Sequence, residues 1–482
     1  MTLFSNDIFS TTSRFGAFLL FICLSASVQA KGVTPYLPLN MSPEIERQIE
    51  RLMAIAGDPI LTRPIPAARA LAATEKACAK ASLLCKQVKT YLRRYMKPDG
   101  FAYFNLEASL KSDEASPLAN KRGQESDNAA TINAQLYRQL GSYVGVALGG
   151  EYREDGENMD GTYSSYGADW MQLDVGYRPR WLSPMQSSAM LWSTNAETPF
   201  TVGISNYQPL TDLNIRYDVF AGQLSKSDKI AFDGGLTSGE PCVVGMHLSL
   251  EPVPGVSFGA NRIMQFGGGD RGKCYELDNF VEALFDPKSA DNFGAEKNSD
   301  DEFGNQLASI TGRFNARGPF PWSAYFEYGG EDTSLGKAYR FGNQALQAGL
   351  YLPSIHDDYD LTIEFAEWQN GWYVNGLYGD GLRNDGNVLG HWAGDRRLDG
   401  AGIGGRSIMA ASSWQIKANQ LMYVELRQLK QQDYGGFNYE VGHDISMRYS
   451  IGLDDYLVGV QGMLGKTVFG ENFYQAGVFT RW

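Results

Sequence analysis

Ala102-Tyr103-Phe104-Asn105-Leu106-Glu107-Ala108-Ser109-Leu110 changes character at every residue. Ala102, Phe104, Leu106, Ala108 and Leu110 form one apolar set, and Tyr103, Asn105, Glu107 and Ser109 fall between them. A period of two places the two sets on opposite faces of a β-strand. The pattern returns along the chain. Leu213, Ile215, Tyr217 and Val219 alternate with Asn214, Arg216 and Asp218, and Leu361, Ile363 and Phe365 with Thr362, Glu364 and Ala366. Ile445, Met447, Tyr449, Ile451 and Leu453 alternate with Ser446, Arg448, Ser450 and Gly452. Glu425 and Arg427 lie opposite Met422, Val424 and Leu426. Such strands suit a soluble sandwich, where the apolar face is the core, or a membrane barrel, where it meets lipid and the polar face lines the lumen.

The connections separate these readings. Short links at Glu251 to Gly255, Ala316 to Phe320, Ala418 to Gln420 and Asp454-Asp455 alternate with long polar ones. The long links are Lys111 to Asn128, Ser225 to Pro241, Gly267 to Phe303, Glu331 to Asn343, Gln369 to Gly402, and Gln431 to Glu440. Tight turns at one end and long loops at the other are expected of outer-membrane barrels, and a sandwich has no need of them. With a tight hairpin between Tyr166 and Pro179, the passes number about eighteen antiparallel strands. The last strand puts Tyr474, Ala476, Val478 and Trp482 on one face. Its aromatic terminus resembles the signal read by the barrel-insertion machinery, although Thr480 replaces the usual bulky residue.

Residues 31–98 have a different period. Ser42-Pro43-Glu44-Ile45-Glu46 reads as a helix start, with Ser as N-cap, Pro in the first turn and acids near the positive end of the dipole. Ala67 to Met96 is rich in helix formers, and Leu84, Val88 and Leu92 recur at helical spacing. A small helical domain over 31–98 therefore precedes a barrel over 99–482. Before both, Arg14, the apolar run Phe15 to Leu24 and the small-residue end Val28-Gln29-Ala30 read as an export signal over 1–30, cleaved between Ala30 and Lys31. The run is too short to cross a bilayer as a helix. Export leaves Cys78, Cys85, Cys242 and Cys274 in an oxidising compartment, where two disulfides are expected. Cys78 and Cys85 would lie about 10 Å apart on one continuous helix. They bond only if the helix breaks near Ser82. Cys242 and Cys274 belong to neighbouring outer loops and would pin them together.

The net charge of −13 disfavours nucleic acid, which wants a basic face. His247, His356, His391 and His443 show no metal-ligand spacing, and no catalytic elbow or phosphate loop occurs. The acids Glu331 and Asp332 are of a kind common in outer loops. The sequence implies neither a catalytic residue nor a cofactor. The link from Gln369 to Gly402 holds the richest binding set: Trp372, Tyr373, Tyr378, Arg383, Trp392, Asp395, Arg396 and Arg397. Rings stack on the C–H faces of sugars, and Arg binds acidic sugars through charge-assisted bonds. The plainer reading of the same residues is an aromatic girdle and a loop folded on itself. Arg262 continues the lipid-facing set of Val256, Phe258 and Ala260. An arginine there either sits at the rim or is turned inward by a bulge.

Gly259-Ala260-Asn261-Arg262-Ile263-Met264-Gln265-Phe266-Gly267-Gly268 resembles a stretch of the Wzi family of outer-membrane capsule assembly proteins. Asp300-Asp301-Glu302-Phe303-Gly304-Asn305-Gln306-Leu307-Ala308 and Phe320-Pro321-Trp322-Ser323, with Gly330-Glu331-Asp332 after it, resemble it too. The resemblance is close over residues 255 to 335 and loose over most of the mature chain. It implies an eighteen-stranded barrel behind a periplasmic helical bundle. It also implies lectin-like retention of capsular polysaccharide or another exopolysaccharide at the surface, in contact with outer-membrane lipid. Where the family has a paired Trp and a Trp-Gly-Pro-Gly turn, this chain has Arg180-Trp181-Leu182-Ser183-Pro184. The runner-up function is a porin or sugar-uptake channel, because a barrel this wide can hold a water-filled lumen.

Overall fold

The computed structural model describes residues 33–79, 81–112, 129–153, 156–168, 170–272, 274, 284, 302–334, 337–356, 358–453 and 455–482. The expected signal segment with Ala30 and Lys31 lies outside the described residues, as does most of the links Lys111 to Asn128 and Gly267 to Phe303.

The alternating stretches form one closed antiparallel ring of eighteen strands. Each ring strand pairs with the next along the chain. The last, Asn472–Arg481, lies between Tyr456–Lys466 and the first, Asp99–Lys111. Seven consecutive residue pairs, from Asn105↔Arg481 to Lys111↔Gln475, close the seam. The expected hairpin before Pro179 is present as Tyr163–Gly167 against Gln172–Gly176.

Period two sorts the side chains as expected. Leu110, Phe258, Ile363, Leu426, Leu464 and Val478 are exposed on the outside, while Asn105, Thr362, Glu364, Arg427 and Ser450 are buried inside. Near one mouth the outer face carries ring pairs. Phe101 packs on Trp482, Phe314 on Trp322 and Tyr359 on Trp414, with centroids 5.4, 5.1 and 5.6 Å apart. Aromatic residues concentrate in this way at a membrane–water interface. One expected position is shifted. A register irregularity between Phe101 and Tyr103 turns Phe101 outward and buries Ala102 among the helices.

Short turns gather at the mouth near the helices, here the helix end, and long connections at the other, the loop end. Glu331 to Asn343 is the exception. It is ladder rather than loop: Trp322–Ser334 and Lys337–His356 stay paired through Asp332↔Gly342 and Thr333↔Phe341. Arg262 is not turned inward. Its strand, Val256–Phe266, keeps an unbroken register with Gly304–Ala316, so the side chain stays outward near the loop-end rim. There it donates to the Leu284 carbonyl at 2.7 Å and to the Gln306 amide. Cys274 and Leu284 thus lie against the outer wall and cover Met264 and Phe266. A disulfide joins Cys274 to Cys242 of the wall.

Three helices precede the ring: α1 (Pro43–Ala56), α2 (Ala67–Ala77) and α3 (Ser82–Leu92). Ser42 precedes α1 as expected. Its hydroxyl donates to Glu44 instead of accepting from a backbone amide of the first turn. Gly57 ends α1 at a left-handed φ of 73° that a side chain would strain. The chain breaks between α2 and α3, which lets Cys78 and Cys85 bond with Cα atoms 5.2 Å apart.

The sidedness of the wall sets a first expected outcome. Leu426 is 50% exposed in the mid-wall, and Gln428 lies two residues nearer the rim on the same face. Leu426→Arg should lower folding stability in lipid vesicles by about 2–4 kcal/mol, and Gln428→Arg by about 1 kcal/mol or less. Urea titration followed by tryptophan fluorescence measures both, and equal effects would contradict a lipid-facing surface.

Candidate binding site in a filled lumen and a loop-end cleft

The inward polar residues do not line open space at the helix end. They grip α1. Both Glu44 carboxylate oxygens accept from Arg481 Nη1 at 2.7 Å, and Arg448 Nε adds a contact at 3.2 Å. Arg47 reaches Asp360 at 2.6 Å. Glu50 sits between Arg63 at 2.9 Å and Arg313 at 3.1 Å. Burial alone would raise the Glu44 carboxyl, but Arg481 and Arg448 overcome it and hold the group at about 2. The Glu50 carboxyl is also depressed, with burial opposed by Arg63 and Arg313. Removing one partner of such a pair leaves a buried charge uncompensated, at a cost of about 3–5 kcal/mol.

Above α1 the connection 177–200 drops into the lumen and returns. Its deepest part exchanges two backbone hydrogen bonds of 2.9 Å between Trp181 and Arg63. The wall supplies acceptors for its amides and hydroxyls. Glu364 receives the Gln186 and Ser187 amides at 2.7 and 2.9 Å, and Glu327 receives the Ser183 hydroxyl at 2.7 Å. Arg178 pairs with Asp218 and Asp174, and Arg180 reaches Asp218 at 3.2 Å.

The connection 369–404 forms the third layer. The Tyr373 amide donates to Glu331 of the wall at 3.0 Å, and its hydroxyl to the Met190 carbonyl at 2.7 Å. Ser193 joins the two connections through the Leu389 carbonyl at 2.6 Å. Trp372, Tyr373, Trp392, Leu382 and Leu389 pack with Met190, Trp192, Phe220, Ile263, Leu307 and Leu429 in one apolar core inside the ring. Burial pushes the His391 imidazole down to about 3, so the ring is neutral at physiological pH. Its Nδ1 accepts the Ala393 amide at 3.1 Å, and Nε2 lies 3.3 Å from the Ser407 hydroxyl.

Over this core a cleft of about 530 Å³ opens at the loop end. Tyr378, Arg383, Asp395 and Arg397 line it, together with Lys226, Ser227, Gln265, Asp380, Asn387 and Asp399. Arg383 is held by Asp395 at 2.7 Å and by the Gly386 carbonyl at 2.6 Å. Lys229 braces Asp380 at 3.0 Å. Gln265 is 2% exposed, and its amide nitrogen holds the Gly381 carbonyl at 3.2 Å. Its Oε1 has no hydrogen-bond partner among the described residues. The cleft thus offers fixed donors and acceptors of both signs, as recognition of a polyhydroxylated ligand demands.

A sequence model of capsule assembly protein Wzi matches residues 100–461. The chain belongs to the Wzi capsule assembly family. A solved structure it resembles is that of Wzi from Escherichia coli, described as an outer membrane protein involved in group 1 capsule assembly and a carbohydrate-binding β-barrel. The TM-score is 0.68 at 15% identity, covering 93% of this chain and 99% of that one, and the likeness speaks for the fold. OccAB4 of Acinetobacter baumannii follows at a TM-score of 0.43 and 9% identity, over 80% of this chain and 98% of that one. No curated protein matches the chain in sequence.

This Wzi-family chain brings four of the eight expected binding residues to one surface: Tyr378, Arg383, Asp395 and Arg397. Trp372, Tyr373, Trp392 and Arg396 lie beneath, buried in the lumen core. Arg427 stands over the Trp392 ring at 5.4 Å, and Arg397 donates to the Trp372 carbonyl at 2.6 Å. These four support the cleft from below. The sequence reading did not single out Lys226, Asp380, Asn387 or Asp399. Gln265 is legible only within the motif Gly259 to Gly268, and 177–200 is not legible as a lumen segment from its composition. The signal that it is no wall strand is present: Pro179, Pro184 and Pro199, with no period of two between two strands.

Two outcomes follow from the filled lumen. In planar bilayers the full chain should pass little steady current, and a large stable conductance would mean the layers do not block the ring. The depressed Glu44 carboxyl stabilises docking above its ordinary value of 4.5, and that contribution is lost as pH falls from 4.5 toward about 2. Relative to the rate of an unprotected amide, which itself slows in acid, hydrogen exchange of α1 in detergent should therefore quicken across that window. In Glu44→Gln it should already be fast at pH 7.

Proposed function

We propose that this protein lies in the bacterial outer membrane and holds capsular polysaccharide or another exopolysaccharide at the cell surface without cleaving it. The observation that carries the reading is the Wzi family match over 100–461. The related Escherichia coli barrel is itself described as carbohydrate binding. The apolar outer wall supports the membrane setting. The three layers inside the ring favour a binding platform over the porin alternative. In this reading residues 1–30 are an export signal cut between Ala30 and Lys31. Residues 31–98 face the periplasm, the loop end faces outward, and the terminal strand ending at Trp482 engages the barrel-insertion machinery.

The polymer is read in the loop-end cleft. Tyr378 supplies a ring, Arg383 and Arg397 supply cations, and Gln265 Oε1 offers an acceptor for a sugar hydroxyl. Trp372, Tyr373, Trp392, Asp395 and Arg396 hold these groups in place. Deleting the encoding gene should move polysaccharide from the cell-bound to the shed fraction, and wild-type protein should restore it. Unchanged retention would end the proposal. Gln265→Met should weaken binding of the purified polymer about fivefold or more, because it removes the Oε1 acceptor and also the amide that holds the Gly381 carbonyl. Titration of the detergent-solubilised variant measures that shift.

A further inference from the structure

The outer wall at the loop end carries a basic arc that the cleft does not use. Arg406 and Lys430 are directly opposite each other on adjacent strands, Gly405–Lys417 and Gln420–Gln431, and both are exposed. His443 and Lys466 are paired in register on the next two strands, Gly442–Leu453 and Tyr456–Lys466. The exposed apolar residues Ile408, Leu426, Ile445 and Leu464 lie on the same outer face, one or two steps closer to the mid-wall. The arc therefore runs along the edge of the apolar belt, where hydrocarbon gives way to headgroups.

Like charges directly opposite in a ladder repel. Neither the Arg406 nor the Lys430 side chain has an ion pair or hydrogen bond among the described residues. Glu367 stands across the ladder from Arg406 and forms no ion pair with it. Lys466 is paired with Glu440, and the Asp433 carboxylate accepts the Tyr439 amide at 3.1 Å. The two central cations are thus left for an outside partner. Beside them the connection 432–441 borders an open cleft of about 810 Å³ lined by Lys430, Tyr439, His443 and Lys466 together with the acids Asp433 and Glu440. The Tyr439 ring packs on Phe437 at 4.9 Å and on Phe469 at 5.8 Å, and its hydroxyl accepts the Leu398 amide at 2.7 Å, so one fixed ring borders the cleft.

We infer that the Arg406–Lys430 pair with the Tyr439 cleft is a binding site for the phosphorylated sugar headgroup of an outer-leaflet glycolipid. Cations at the belt edge meet a headgroup phosphate while the acyl chains lie along Ile408, Leu426 and Ile445. A polymer above the membrane would meet the other cleft first. Anionic headgroups recruit basic residues at this level of a bilayer, and the ring beside the cations suits the sugar. The site goes beyond polymer retention and depends on the loop end facing outward.

Native mass spectrometry of the full chain in detergent tests it. The probes are lipid A carrying two phosphate monoesters and the same lipid dephosphorylated. Wild type should keep the phosphorylated form and release the other. R406A/K430A should bind about twenty-fivefold more weakly, at about fivefold per basic residue. R138A/K417A, which removes exposed cations at the helix-end rim, should bind as wild type does. Equal retention of both lipids, or unchanged affinity in R406A/K430A, would overturn the proposal. A wild-type affinity that ignores ionic strength would overturn it too, and that reading needs no variant to fold. None of these measurements involves the surface polymer, so their failure would leave the retention proposal standing.

Discussion

A backbone amide in hydrocarbon has no water to turn to, so every strand of this wall must find a partner on both sides. Pairing of strands consecutive in the chain provides that for all neighbours but one pair. The seam between Asp99–Lys111 and Asn472–Arg481 joins residues hundreds of positions apart, and the ring exists only if it closes. Arg481 stands at that seam. It opposes Asn105 in the ladder, binds Glu107 of the first strand at 2.7 Å, and binds Glu44 of α1 with two contacts of 2.7 Å. One guanidinium thus fastens the last strand to the first and the helices to both. Lysine could carry the charge there, but not the planar fork that serves two carboxylates at once.

The inner face follows from the same constraint. Alternation requires that half the residues of each strand face away from lipid, and in a wide ring those residues are polar. Here their partners are protein. Arg313, Arg448 and Arg481 meet the acids of α1, Asp360 meets Arg47, and Glu327 and Glu364 meet the amides and hydroxyls of 177–200. The lumen charges are therefore structural. Nearer the loop end the wall turns apolar inside as well, with Phe220, Ile263, Leu307 and Leu429, and there it meets the aromatic core of 369–404. The change from ionic to apolar lining along one wall marks where helices give way to connections.

The sequence shows the wall well because strand alternation is a local property, repeated in eighteen places. Its misreadings are also local. A bulge moved Ala102 inward, and the ladder of Glu331 to Asn343 looked like a loop because Glu331, Asp332, Gly336 and Gly342 are loop-like residues. The lumen contents are less legible because their contacts are not local. Nothing near Trp181 announces that its backbone will pair with Arg63, and nothing near Ser187 announces Glu364. The tryptophans of 369–402 were visible as a binding-like set. Composition alone does not say whether an aromatic residue faces a ligand or a core, since both favour large apolar rings.

That ambiguity resolves into a division of labour. The cleft draws on four segments: Ser225 to Ser227, Pro241, Gln265 on a wall strand, and Tyr378 to Asp399. Their mutual positions are set from beneath, because Trp372, Tyr373 and Trp392 fill the space on which they rest. A loop that had to order itself around a flexible polymer would lose affinity to that ordering. A loop already seated on a packed core has met that entropic cost during folding. The filled lumen thus removes a pore and fixes a surface by the same packing, and the exposed donors of the cleft are only as well placed as the buried rings below them.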